Sequence, residues 1–203
     1  MSNEGLWEQL EKLDFADTAQ RAKCEYLSGK NCFIIILLNT EYRVELSAKK
    51  IYSTGKDSPE KPVTFLEELC LLAYLINAKE LPLTNKLVKA ETLPAGQFFF
   101  RGLHALPTKK LEEAFGANPE LLLKASERLD AKKREFGDAS ITLNVLPRLP
   151  LTIVIWRRCE EFEARASILF DQNAASLLPL DALLVAVNLT VNALTEAAAD
   201  EAN

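Results

Sequence analysis

The sequence contains very few of the side chains that build metal and redox sites. Its 203 residues include one histidine, His104, and four cysteines, no two of which have a Cys-x-x-Cys spacing. Structural zinc sites use close Cys or His pairs, and ferredoxin-type clusters need tight cysteine runs. We therefore expect no cofactor and no metal ion. Cys32 and Cys70 lie within apolar runs and are expected to pack as small core residues.

Familiar catalytic and phosphate-binding motifs are also missing. The chain has no G-x-S-x-G elbow, no H-E-x-x-H pair and no G-x-x-x-x-G-K-[ST] loop. Gly96, Gly102 and Gly116 are too far apart in sequence to form a phosphate loop. A single histidine allows at most one His–carboxylate arrangement. These absences leave open whether the protein is an enzyme.

The chain has no excess of positive charge. Its net charge is −5, whereas a nucleic-acid-binding protein needs a basic face to displace the counterions of phosphate. The short basic clusters Lys132-Lys133-Arg134 and Arg157-Arg158 have acidic neighbours and are predicted to be solvated surface. We expect no nucleic-acid partner.

The sequence also has no uninterrupted apolar run. Its first residues do not show the basic segment followed by an apolar segment that is typical of a secretory signal peptide. Its longest apolar stretch, residues 177–194, is interrupted by Pro179, Asp181 and three later polar residues. A bilayer span needs about 20 mainly apolar residues. We expect a soluble, cytoplasmic protein that makes no membrane contact.

The patterns that are present are those of a globular chain, with 48% hydrophobic and 26% charged residues. Helical spacing covers residues 4–27, and a run of apolar residues at 31–38 predicts a central strand. Alternation at 42–46 predicts its partner strand. The pattern Thr64-x-x-Glu67 is typical of a capping box and predicts a helix over 65–78.

In the C-terminal half, strands are predicted at 140–145, 151–156 and 166–170, and a long helix follows Pro179. Strands cluster near both ends of the sequence and helices fill the middle. This order predicts an α+β fold, in which a mainly antiparallel sheet of N-terminal and C-terminal strands packs against a helical middle and a C-terminal helix. We expect a single globular domain over 1–203, with 53–63 as the one plausible seam and a frayed tail at 197–203.

Three charged residues lie at the ends of the C-terminal strands. Asp138 precedes the first strand, Arg148 lies between the first two, and Asp171 ends the third. If these strands are neighbours, the three charges could meet at one sheet edge, where a guanidinium can bind a carboxylate through two hydrogen bonds. Such a cluster would either brace the turns or hold an anionic ligand, and the sequence leaves both readings open.

Aromatic residues offer a second set of candidates. His104 follows an aromatic, turn-rich segment and lies three residues after Arg101, with either a structural or a functional role. Trp156, together with Phe98–Phe100, would line an apolar pocket or belong to the core. No catalytic residue is assigned, and the ligand-binding candidates are Arg148, Asp138, Asp171, His104, Arg101 and Trp156.

Several short motifs together resemble a known family. They are Phe100-Arg-Gly-Leu-His104, Phe115-Gly116, Phe136-Gly-Asp138, Leu146-Pro-Arg148-Leu-Pro-Leu, Trp156, Leu169-Phe-Asp171 and Leu178-Pro-Leu-Asp181. At this spacing the chain resembles the prokaryotic "domain of unknown function 3786" family over about residues 60–195, and more weakly before them. Some relatives carry a cysteine-rich iron–sulfur segment. No segment here matches it, so the resemblance implies no cluster. This chain also has Arg157-Arg158-Cys159 where relatives tend to be acidic or to contain glycine.

Two functional hypotheses follow from these patterns. The first is a non-catalytic binding or accessory protein that acts through a protein partner or through self-association. The alternative is a small enzyme that acts on an anionic metabolite, with Arg148 as the anion clamp, Asp138 or Asp171 as the acid–base group and His104 as a second proton carrier.

Overall fold

An antiparallel sheet of five strands forms the N-terminal part of the protein. The computed structural model describes residues 3–54 and 61–201. The strands of this first sheet follow one another in sequence order, each paired with the next. They are β1 (Glu25–Leu27), β2 (Cys32–Leu37), β3 (Thr40–Glu45), β4 (Lys50–Ser53) and β5 (Lys61–Pro62).

The C-terminal strands form a second antiparallel sheet of five strands. Its spatial order is β6-β10-β9-β8-β7, so the long strand β9 lies in the middle. The strand β6 comes from within the helical middle of the sequence and pairs with the C-terminal end of β10. The strands are β6 (Leu87–Lys89), β7 (Lys132–Arg134), β8 (Ala139–Leu146), β9 (Leu149–Trp156) and β10 (Arg165–Asp171).

Helices lie before, between and after the sheets. Helix α3 begins at the predicted capping box, in which Thr64 and Glu67 exchange side-chain and backbone hydrogen bonds. The helices are α1 (Glu4–Leu10), α2 (Phe15–Ala22), α3 (Phe65–Asn77), α4 (Gly96–Phe99), α5 (Thr108–Phe115), α6 (Glu120–Glu127), α7 (Ala174–Leu177) and α8 (Leu180–Glu201).

One hydrophobic cluster extends through both parts of the described chain. On the second sheet, the strand register aligns Ile141, Ile153 and Ile168 in a row, and all three are buried. Helix α5 packs on β10 and α6 on β8, and both contact α8, which in turn contacts α3. The helices α5 and α6 therefore cover one face of the second sheet, and within residues 3–54 and 61–201 no helix packs on its other face.

The prediction of an α+β fold with antiparallel strands and a C-terminal helix is confirmed. The N-terminal and C-terminal strands belong to two separate sheets. The helical pattern at 4–27 is broken into two helices and β1, because Asp14 ends the first segment and caps α2 by accepting a hydrogen bond from the Asp17 amide. Most of the proposed seam lies outside the described residues, which omit 55–60.

The C-terminal helix extends into the segment predicted to be a frayed tail. Helix α8 continues through Glu201, with Ala197 and Ala198 buried. Arg128 forms an ion pair with Asp200 at 2.7 Å, which ties the last turn to the end of α6. Residues 202 and 203 lie outside the described part of the chain.

Helix α8 is long and apolar enough to meet the composition of a membrane span, with a window of mean hydropathy 1.5. Half of that window is buried against the rest of the protein. The core helix of a water-soluble protein has the same properties, so the helix is weak evidence for a membrane.

Candidate functional site

The face of the second sheet that lacks a helix is defined by the strand register. Side chains of a strand alternate between the two faces, and those out of phase with the isoleucine row lie on the opposite face, where the central residues Thr152 and Val154 are nevertheless only 1% exposed. One outward row crosses all five strands. Its members are Lys89, Leu169, Thr152, Thr142 and Lys132. We call this side of the sheet the open face.

A cavity of about 520 Å³ lies at one end of the open face. Its apolar side chains are Trp156 at the end of β9, Leu169 on β10 and Phe162 in the loop between these strands. Trp156 is 41% exposed and Phe162 69% exposed, which are high values for large apolar rings. We call this cavity the Trp156 cleft.

Three cations surround the apolar part of the Trp156 cleft. They are Lys89, Arg157 and Arg165, all of which are exposed. Within residues 3–54 and 61–201, none of their side chains forms an ion pair or a hydrogen bond. The acidic residues of the cleft are already occupied, because Asp138 accepts a hydrogen bond from the Arg157 amide at 2.7 Å and Glu163 pairs with Arg158 at 3.5 Å. With three cations and two carboxylates in its lining, the cleft has a small excess of positive charge next to apolar surface.

The Phe136-Gly-Asp138 motif builds one wall of the cleft. Gly137 has a φ of +56°, and a Cβ atom there would lie 2.6 Å from the carbonyl oxygen of Ile155 and 3.3 Å from the ring of Trp156. Only glycine adopts this conformation at such a close approach without strain. The Asp138 amide donates to the Ile155 carbonyl at 2.9 Å. The motif thus holds the start of β8 against the end of β9, beside Trp156.

The Phe115-Gly116 motif holds the opposite wall, the loop at 157–164. A Cβ atom on Gly116 would lie 2.2 Å from the Cβ atom of Ala164, so glycine permits the loop to pack on the end of α5. The Arg158 amide donates to the Gly116 carbonyl at 2.9 Å, and the Cys159 amide donates to the Phe162 carbonyl at 3.0 Å. Three of the motifs that carry the family resemblance, including Trp156 itself, therefore meet at this cleft.

The predicted meeting of Asp138, Arg148 and Asp171 does not occur. Asp138 lies where β8 begins and β9 ends, while Arg148 lies in the turn where β8 ends and β9 begins. Because the two strands are antiparallel, these residues are at opposite ends of the hairpin. Asp171 lies at the same end of the sheet as Arg148 but binds different groups. The prediction failed because it placed charges from strand order alone, without the direction of each strand.

Arg148 braces the end of helix α2. Its Nε donates to the Arg21 carbonyl at 2.8 Å, and its Nη2 donates to the Gln20 carbonyl at 3.3 Å. The Arg148 amide donates to the Tyr74 hydroxyl at 3.1 Å, and this hydroxyl donates to the Ala22 carbonyl. The last carbonyls of a helix have no partner within the helix and carry partial negative charge. Arg148 gives the Arg21 carbonyl a partner, adds a second one to the Gln20 carbonyl, which also accepts from the Lys23 amide at 3.2 Å, and ties the second sheet to the N-terminal part.

Asp171 holds the segment that precedes β6. The residue is only 3% exposed, and its carboxylate accepts hydrogen bonds from the amides of Thr84, Asn85 and Asn173 and from the Thr84 hydroxyl, at 2.9–3.0 Å. With four donors directed at it, the carboxylate needs no ligand.

His104 and Arg101 lie on an exposed segment away from the three strand-end charges. The ring of His104 stacks on Phe99 at 4.7 Å, and the guanidinium of Arg101 lies 6.0 Å from the centre of the Phe98 ring. Phe98 is exposed, whereas Phe100 is buried against Phe170. Of the six sequence candidates, the structure brings only Asp138 and Trp156 together in the Trp156 cleft.

The cysteines fall into two chemical classes. Burial raises the pKa of Cys24 and Cys70 to about 12 and also raises the pKa of Cys32, so these thiols stay protonated near neutral pH. Cys159 is exposed in the wall of the Trp156 cleft. No group of three His, Cys, Asp or Glu side chains within the described ranges could hold a metal ion.

Sequence reasoning missed Lys89, Arg165 and Phe162. For Arg165 a signal existed, since Arg165, Ser167 and Leu169 alternate with the buried Ile168 and Phe170 and must lie on the other face. Lys89 belongs to a short strand in a segment that shows no periodic pattern. Phe162 lies in a loop, where periodicity gives no information about position.

Two antiparallel sheets with eight helices in the described residues define an α+β protein, and the second sheet carries a cleft lined by cations and aromatic rings. The model of the family described as "Domain of unknown function (DUF3786)" matches residues 14–193, so the chain belongs to this family. The match begins well before residue 60, where the sequence resemblance was expected to weaken. No curated protein and no solved structure matches the chain.

Proposed function

We propose that this protein is a non-catalytic binding domain whose ligand lies in the Trp156 cleft and combines a compact apolar group with negative charge. The observation that carries the proposal is the set of three cations, Lys89, Arg157 and Arg165, that have no partner within the described residues and surround an apolar cavity. The volume of about 520 Å³ is in the range of small-ligand sites, which join apolar walls to a few directed polar groups.

The chemistry of the lining favours an anion with a flat or branched apolar part. An aromatic ring can pack face to face or edge to face on Trp156 and Phe162. A carboxylate, sulfonate or phosphate can accept charge-assisted hydrogen bonds from the arginines. Because the net charge of the chain is −5, the ligand must be attracted by these local cations and not by the overall field.

The enzymatic alternative has no comparable support. It requires Arg148, Asp171 and His104 in one place, and each of them has other contacts in the structure. Both Arg148 and Asp171 contribute to stability through these contacts.

The proposal can be tested with two probes of similar shape and different charge. The anionic probe is 1-anilinonaphthalene-8-sulfonate, and the neutral probe is N-phenyl-1-naphthylamine. We expect Lys89→Ala/Arg165→Ala to weaken the anionic probe about 5- to 10-fold and the neutral probe less than about 2-fold, since loss of one charged contact is worth roughly 1 kcal/mol or less at an exposed site.

Two further variants complete the test. Trp156→Ala should weaken both probes, and Lys12→Ala/Lys124→Ala should weaken neither, because these exposed lysines lie outside the cleft. Fluorescence titration of the folded protein gives the affinities. Equal binding of the anionic probe to the wild type and to Lys89→Ala/Arg165→Ala would contradict the proposal.

A further inference from the structure

We propose that the ligand is an extended acidic segment of a partner protein, which crosses the open face and places one apolar side chain in the Trp156 cleft. This inference rests on the proposed function, because the cleft supplies the anchor for the segment. It adds a second contact region at the far edge of the sheet, on β7, which a small ligand in the cleft would not reach.

The open face carries cations along both of its edges. Lys89 and Arg165 lie on β6 and β10, while Lys132 and Arg134 lie on β7 at the other side of the sheet. In the described part of the chain, neither Lys132 nor Arg134 forms an ion pair; the guanidinium of Arg134 lies 5.7 Å from the centre of the Phe136 ring.

Acidic side chains are nearly absent from the outward positions of these strands. Asp171 is the exception within the described strands, and its carboxylate is occupied by four donors. A protein with a net charge of −5 therefore concentrates unpaired positive charge on one sheet face. This charge is complementary to an acidic partner.

Among the described residues, the centre of the open face presents no exposed polar group, because Ser140, Thr152 and Val154 are 0–1% exposed. The row between the two charged edges contains Thr142 and Thr152, whose hydroxyl groups bond to each other at 2.7 Å. In the next row, the Ser140 hydroxyl accepts a hydrogen bond from the Phe136 amide at 2.9 Å. Because these small side chains are buried or half-buried, a segment that crosses the face meets no competing polar group of the described residues there and depends on the two charged edges and on the cleft.

The width of the face fits a short extended segment. The strands β6 and β7 are separated by four strand spacings, which is about 19 Å at roughly 4.8 Å per spacing. An extended chain covers about 3.3 Å per residue. About six residues would span the face, with acidic side chains near each edge and an apolar side chain over the Trp156 cleft.

The cleft favours a peptide over a single-stranded nucleic acid. Its apolar part includes the aliphatic Leu169 beside the rings of Trp156 and Phe162, which suits a leucine or phenylalanine side chain. A polynucleotide carries one charge on each nucleotide, so it would also be repelled by the acidic remainder of the chain. A peptide places its few charges only at the two cationic edges.

The test uses calorimetry with an unlabelled eight-residue probe that has two glutamates at each end, a central phenylalanine and uncharged residues between them. At 50 mM salt we expect binding, and we expect Lys132→Ala/Arg134→Ala to lower the affinity about 5-fold, as two exposed charge contacts are removed. The same variant should bind 1-anilinonaphthalene-8-sulfonate unchanged, because β7 lies outside the cleft. Lys12→Ala/Lys124→Ala is the matched control and should bind the peptide as the wild type does.

Each other outcome decides between the two proposals. If the peptide does not bind but the anionic naphthalene probe does, this inference fails and the proposed function stands. If neither binds, both fail. If the peptide binds the wild type and Lys132→Ala/Arg134→Ala with equal affinity, β7 is not a contact region and this inference fails. Tighter binding of a ten-residue oligothymidylate than of the peptide would replace the peptide with a nucleic acid.

Discussion

Arg148 provides the sharpest test of how the two parts of the protein are held together. Its guanidinium binds the last carbonyls of α2, and its side chain is 19% exposed. Replacement by methionine keeps an apolar stem of similar length but removes all donors. The Arg21 carbonyl would then lose a partner that no other side chain in the described chain replaces, whereas the Gln20 carbonyl would keep the Lys23 amide.

The expected loss follows from the geometry. A hydrogen bond from a charged donor contributes about 1.5–3 kcal/mol, and a cation at a helix C-terminus adds roughly 0.3–1 kcal/mol. The hydrogen bond of 2.8 Å to the Arg21 carbonyl is expected to contribute this amount to the free energy of unfolding, and the longer one of 3.3 Å to the Gln20 carbonyl is expected to contribute less. The ion pair with Glu80 at 3.6 Å is largely exposed and adds little. Arg148→Met should therefore lower the free energy of unfolding by about 2–4 kcal/mol.

Urea-induced unfolding measures this loss from the midpoint at constant slope. Arg148→Lys keeps the positive charge but can reach only one of the two carbonyls. Its loss of unfolding free energy should be about half that of Arg148→Met. Arg157→Met is the matched control, because that guanidinium has no partner among the described residues, and it should change stability by less than about 0.5 kcal/mol. A double-mutant cycle between Arg148 and Asp171 should show a coupling below about 0.5 kcal/mol. Wild-type stability of Arg148→Met would refute the brace.

Three further predictions concern other parts of the structure. Asp171→Ala leaves four donors unsatisfied and should cost about 3 kcal/mol or more in urea unfolding. Gly116→Ala places a methyl group 2.2 Å from a side-chain carbon and should cost more than about 1 kcal/mol and weaken naphthalene-sulfonate binding, whereas Gly29→Ala meets nothing within 4 Å and should do neither. At pH 8 a thiol reagent should modify Cys159 rapidly and Cys70 only after unfolding; rapid reaction of more than one thiol in the folded protein would contradict this. Because burial raises the pKa of Cys70 from 9.0 to about 12, the unfolded chain releases this proton first, and unfolding free energy should fall as pH rises above about 9.

Local patterns in the sequence predicted the parts of the fold that depend on neighbours in the chain. The capping box at Thr64 and Glu67 and the strand pair of β2 and β3 are both present, because their hydrogen bonds form within a few residues. The break between α1 and α2 depends on the cap at Asp14, which competes with helical spacing that continues across it.

The partners of the charged residues could not be predicted in the same way. Arg148 lies 127 positions from Arg21, and Asp171 lies 87 positions from Thr84. Such contacts depend on the direction of each strand and on how the sheets pack, which periodicity does not report. Trp156 was a candidate as one of the aromatic residues that could line an apolar pocket. Of its cationic neighbours, Arg157 follows it directly in the chain, whereas Lys89 and Arg165 lie on other strands.

The central claim is that an apolar anion binds beside Trp156, and the chain has only one other tryptophan, Trp7. Trp7 is 3% exposed and donates to Glu68 at 2.8 Å, so it lies in the core. Fluorine NMR of protein labelled with 5-fluorotryptophan resolves the two residues, and single Trp→Phe variants assign them. During titration with 1-anilinonaphthalene-8-sulfonate, the Trp156 signal should shift and the Trp7 signal should stay in place. An unmoved Trp156 signal at saturation, or equal shifts of both signals, would contradict the claim.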